Sequence, residues 1–216
     1  MLRNIDPVHA IITYLGLLVA LTMHEAAVAL AARWKGDRSL ETMSRATINP
    51  IPHIDFFGTV LFPLLMLFSG IPFLFGWAKP LNFDTRYFKK LKRDINIVCI
   101  IGMASCFAIA AVCGLLIGFM GYLPSELVSG KDPAPRILYS IAMGNIFIGM
   151  FNVLPFPGRD MWRLITNSVS YPVSQKLNES ANIISIVLLL VLIFGLLNPV
   201  FMAVRGVFHL LFIGAL

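Results

Sequence analysis

Charged side chains are scarce in this chain: they make up 13% of 216 residues, where a soluble domain carries roughly a quarter. With so few charges the surface of a water-soluble domain cannot be covered. Cysteine is scarce too. Cys99, Cys106 and Cys113 are the only three, an odd number spaced at heptad intervals inside one apolar run, so a disulfide framework is excluded. Their common helical face suits small-residue packing between membrane helices. No linker, internal repeat or low-complexity tract interrupts the chain, which argues for a single unit over residues 1–216.

What is abundant is hydrocarbon. Hydrophobic residues reach 58% and the mean hydropathy is +0.82. Several apolar runs approach the roughly 20 residues that cross a bilayer as a helix. The expected fold is an all-α polytopic membrane protein with about six transmembrane or re-entrant segments.

The first run covers residues 9–32; it is too long for a signal peptide and keeps His24 and Glu25 deep inside. Residues 34–57 are mixed and contain Asn49, Pro50 and Pro52, so irregular loop or short strand is expected. Residues 58–78 are apolar but broken by Pro63, Gly70 and Pro72. Further spans are expected at residues 95–122 and 137–154, the latter ended by Pro155-Phe156-Pro157-Gly158. Residues 161–179 are amphipathic, and a helical pair follows within residues 182–216. Trp34, Trp77 and Trp162 fall near predicted span ends and suit interfacial anchoring.

The net charge is +6, concentrated after the first run (Arg33, Lys35, Arg38, Arg45) and after the second (from Lys79 to Arg93). Such clusters flanking apolar spans act as topology signals and anionic-lipid contacts, not as a nucleic-acid surface. They pose a conflict. If residues 58–78 made one simple crossing, the two basic loops would face opposite sides of the membrane. A re-entrant hairpin turning near Gly70-Ile71-Pro72 keeps both on the cytoplasmic side, and such irregular backbone is tolerated where it lines protein.

Ionisable groups inside apolar spans are costly and are functional candidates by default. They are His24 and Glu25 in the first helix and Asp160 after the broken fourth run, with His53 and Asp55 in the loop between. His24-Glu25-Ala26-Ala27-Val28 resembles His-Glu-x-x-His, in which two histidines at i and i+4 bind zinc and the glutamate activates bound water. Here the i+4 position is Val28, which has no lone pair.

Three further segments strengthen the likeness. Asn49-Pro50-Ile51-Pro52-His53-Ile54-Asp55-Phe56-Phe57-Gly58-Thr59, Phe75-Gly76-Trp77-Ala78-Lys79-Pro80, and Asn145 with the run from Asn152 to Asp160 resemble, in order and spacing, elements of the compact bacterial site-2 proteases. The likeness covers roughly residues 9–165.

This resemblance implies a site-2-protease-like bundle in which His24 and Asp160 meet inside the membrane as remaining zinc-ligand positions. It makes Glu25 a vestigial general base and Val28 the degenerate position. It implies a Zn²⁺ cofactor in the family, weak or absent here. The departures cluster at the site. Gly102-Met103-Ala104-Ser105-Cys106 lacks the family's proline and asparagine, Arg159 stands for a leucine and Met161 for a glycine.

The reading that follows is a proteolytically inactive pseudoprotease in a prokaryotic cytoplasmic membrane. Its partners would be the bilayer and transmembrane segments of other proteins. The alternatives are an active intramembrane zinc protease with His53 as substitute ligand, and a transport or lipid-handling bundle in which His24 and Asp160 do not converge.

Overall fold

The computed structural model describes residues 7–69, 75–121 and 133–213. In chain order its helices are α1 (Pro7–Lys35), α2 (Leu40–Arg45), α3 (Phe62–Ser69), α4 (Leu91–Gly121), α5 (Ala134–Val153), α6 (Asp160–Ser168), α7 (Tyr171–Glu179), α8 (Ala181–Ile193) and α9 (Asn198–Phe208). No strand occurs among the described residues. The stretch after α1, where a short strand was one expectation, instead forms α2. The Ser39 side chain caps it by accepting a hydrogen bond from Thr42 N, satisfying one of the helix's orphan donors.

Among the described residues three helices are long and apolar enough to cross a membrane: α1, α4 and α5, with 29, 31 and 20 residues. They pack on one another as the core of the molecule. Small residues set the distance between α1 and α5. A side chain at Gly16 would collide with Ser140, whose Oγ would lie 2.3 Å from the added carbon. Ser140 Oγ also donates to the Ile12 carbonyl at 2.9 Å. Such close backbone approach is how helices gain van der Waals contact where lipid offers no hydrophobic drive. Cys99, Cys106 and Cys113 are all buried on α4, as small packing residues.

The sequence suggested about six segments. The C-terminal helices are shorter than a span: α8 has 13 residues and α9 has 11. Among the described residues a fourth crossing arises only if α7 and α8, bent by 61° at their junction, act as one broken span. α9 runs antiparallel along α5, with Phe201 stacked on Phe147 at 5.5 Å and Tyr139 Oη joined to His209 Nε2 at 3.0 Å.

Both ends of residues 58–78 lie side by side. Trp77 N donates to the Gly58 carbonyl at 3.1 Å, Lys79 N to the His53 carbonyl at 2.9 Å, and Thr59 Oγ1 to the Trp77 carbonyl at 2.9 Å. A stretch whose two ends meet in this way does not make one simple crossing. Its proposed turn at residues 70–72 falls outside the described residues. Of the three tryptophans only Trp34 is strongly exposed. Trp77 packs with Phe62 and Phe75. Trp162 is buried and donates to Asn178 Oδ1. These two are packing residues, because the loop that carries Trp77 and the helix α6 that carries Trp162 fold back over the bundle.

Candidate functional site

The kink at Pro155-Phe156-Pro157-Gly158 ends α5 and turns the chain back, so that α6 begins over the middle of α1. Gly158 takes a φ of +85°, a left-handed conformation that glycine adopts without strain. The turn delivers Asp160, 3% exposed, to His24, 4% exposed. His24 Nε2 and Asp160 Oδ2 stand 2.8 Å apart. On the other side of the ring His24 Nδ1 lies 3.5 Å from Glu25 Oε1.

Behind Glu25 stands Arg45, which composition alone suggested as a topology signal. It is instead 2% exposed, with Nη2 at 3.4 Å from Glu25 Oε2. Its Nη1 donates to the Pro80 carbonyl at 3.0 Å and its Nη2 to the Lys79 carbonyl. A buried charge is tolerable only when paired and hydrogen-bonded. Arg45, Glu25, His24 and Asp160 meet that demand as a chain of contacts that ties α2, α1 and α6 to the loop at residues 79–80. Arg159, beside Asp160, lies within electrostatic reach of both carboxylates and caps the Phe151 ring at 5.1 Å.

On the third side of the site stand Val28 and helix α4, whose buried Cys106 thiol lies within electrostatic reach of His24, Asp160 and Glu25. A carbon added to Gly102 on α4 would lie 2.6 Å from Asp160 Oδ2, 2.6 Å from Val28 Cγ2 and 3.3 Å from His24 Nε2. Only glycine lets α4 come this close. The space left among His24, Glu25, Val28, Asn152 and Asp160 is about 10 Å³, room for one water at most. Asn152 donates to the Ile148 carbonyl and leaves its buried Oδ1 without a partner among the described residues. Outside this pocket lies a wider cleft of about 430 Å³, and Leu81 and Arg163 line both.

His53 does not join the group. It is buried 2% exposed, with Nε2 bonded to the Thr47 carbonyl at 2.9 Å. Burial holds its imidazole below the ordinary value, so the neutral ring acts as a loop fastener.

Over 165 residues the chain is 33% identical to "Putative zinc metalloprotease YwhC" of Bacillus subtilis (strain 168), a match spanning 76% of this chain and 72% of that protein. The chain belongs to the YwhC family. No protein-family model matches it, and no solved structure does.

The name of its YwhC relative makes zinc plausible for the family, and the residues here can be tested against that metal. A catalytic zinc takes three protein ligands and keeps a fourth position for water. His24 and Asp160 supply two donors, and Val28 and Gly102 fill the third side. No group of three or more His, Cys, Asp or Glu side chains able to hold a metal occurs among the described residues. The donor set does not fit a catalytic zinc.

Sequence reasoning missed Arg45 and Asn152 as members of the site. Arg45 lies just before the family-like segment that opens at Asn49, and a basic residue after an apolar run carries no mark of burial in the sequence.

Proposed function

We propose that this metalloprotease-like membrane protein is a site-2-protease-like pseudoprotease that binds transmembrane segments of other membrane proteins without cutting them. The observation that carries the reading is the closed third side of the site. His24 and Asp160 touch directly at 2.8 Å, Val28 and Gly102 occupy the place of a further ligand, and Glu25 is engaged by Arg45. A general base must reach a water held next to the scissile carbonyl. Glu25 is committed to an ion pair in a pocket with room for one water. Loss of even an outer partner lowers metal affinity or activity roughly 10–100-fold, and the loss of a direct ligand costs at least as much.

The active alternative requires His53 to leave Thr47 and turn toward His24. Its one favourable feature is a buried Nδ1 with no partner among the described residues. The transport-bundle alternative is disfavoured by the contact between His24 and Asp160.

Metal content per chain in mild detergent, with and without His24→Ala, separates these readings. The expected result is substoichiometric zinc that His24→Ala leaves unchanged, with no cleavage of a membrane-embedded peptide. Stoichiometric zinc lost in His53→Ala, together with cleavage, would establish the active reading instead. Val28→His restores the i, i+4 pair and is expected to raise zinc occupancy. If occupancy does not rise, the closure around Gly102, and not the missing imidazole alone, excludes the ion.

A further inference from the structure

α9 is apolar on nearly every side, yet it carries an arginine. Phe201 stacks on Phe147, Val204 packs into the cluster of Ala142 and Ile146, and His209 meets Tyr139. Arg205 lies midway between Phe201 and His209. It is therefore level with Met143, midway between Tyr139 and Phe147 and at the middle of the 20-residue span α5. With α5 crossing symmetrically, that depth is about 15 Å from the headgroups on either side.

Arg205 is exposed and takes part in no ion pair among the described residues. Beside it Met202 is 72% exposed, and a carbon added to Gly206 would meet nothing within 4 Å. An arginine at the bilayer centre is costly to insert. Such a group normally faces a protein interior or a partner. Arg205 instead faces outward, next to a glycine that leaves room for another backbone.

We propose that the Arg205 face of α9 docks a transmembrane helix of a different membrane protein through a carboxylate placed near the bilayer midplane. Depth decides between occupants. Anionic headgroups lie far from Met143's level, whereas a helical Asp or Glu can be placed there by its own span. Charge decides against a symmetric second copy, because twofold pairing on this face would set Arg205 against Arg205. The inference needs the chain to lie in a bilayer but does not need the His24 site to be silent.

The test uses the full chain in phosphatidylcholine vesicles with a polyleucine transmembrane peptide bearing one central Glu, association being read by energy transfer. The Glu peptide is expected to bind about tenfold more tightly than its Gln counterpart, the scale of polar contacts between membrane helices. Arg205→Leu should erase that difference and Arg205→Lys should keep part of it. Leucine in lipid favours insertion, so Arg205→Leu is expected to fold, which elution as a single species checks. Equal binding of the two peptides, or a preference for Glu that survives Arg205→Leu, overturns the proposal. So does peptide binding that vanishes when phosphatidylglycerol is added, which would assign Arg205 to headgroups. An Arg205→Cys label quenched by lipids brominated near the tail ends supports the depth, and quenching at headgroup level overturns it.

Discussion

At Glu25 a membrane helix carries a buried carboxylate, 5% exposed, with His24 on one oxygen and Arg45 on the other. Removing one partner of a buried ion pair strands the other and typically costs about 3–5 kcal/mol, while replacing both can be close to neutral. Arg45→Met is therefore expected to destabilise the protein by an amount in that range, about 3–5 kcal/mol, and Arg45→Met with Glu25→Gln by clearly less. Unfolding of both variants in detergent measures the coupling, and equal losses would show that the pair contributes nothing as a pair. Gly102→Ala makes a second case. Its methyl group would press on Asp160 Oδ2 and Val28 Cγ2, each at 2.6 Å, and overpacking of this kind costs about 1–3 kcal/mol. An Ala variant as stable as the parent would mean that α4 is free to shift. The pairing of His24 with Asp160 could be expected from motif order, because a His-Glu pair inside the first apolar run and a helix-breaking Pro-Phe-Pro-Gly turn before Asp160 follow the order of the family they resemble. The engagement of Glu25 by Arg45 could not, since a basic residue after a span looks the same whether it is solvated or buried.

The helices were legible where hydrocarbon is continuous and illegible where polar contacts decide. α1, α4 and α5 announce themselves as long apolar runs. α2 does not, because it exists by virtue of its cap and of Asp37. That carboxylate, fully buried, accepts from Ser39 N at 2.8 Å, from Thr42 Oγ1 at 2.5 Å and from Asp84 N at 2.8 Å. It fastens the end of α1 to α2 and to the loop before α4. Burial works against the charged form, but the hydrogen bonds from Thr42, Ser39 and Asp84 outweigh it and hold Asp37 below the usual carboxylate range. A carboxylate with a depressed folded value contributes stability that is complete above its unfolded value near 3.9 and fades as pH falls through the folded one. Asp37→Asn should therefore lower stability at pH 7 and flatten its decline below about pH 4. Parallel stability–pH curves for the parent and Asp37→Asn would remove Asp37 from this role.

The two basic loops turn out to be a single layer. Arg45 reaches the carbonyls of Lys79 and Pro80, Asp37 holds Asp84 N, and Lys35 Nζ lies 3.3 Å from Asp94 Oδ1. These contacts join the end of α1 to the start of α4 across the stretch of residues 58–78. A simple crossing by that stretch would have pulled the loops to opposite faces, so the contacts and the positive-inside tendency agree. Composition alone could not choose, because charge counts carry no information about which loops touch. The consequence is an accessibility pattern for the whole molecule. Arg38→Cys and Lys89→Cys, placed on the two loops, should react equally with a membrane-impermeant thiol reagent from one side of sealed vesicles and not from the other. The native cysteines are buried and should stay silent. Labelling of the two variants from opposite sides would separate the loops by a bilayer and break the layer that holds Arg45 against Glu25.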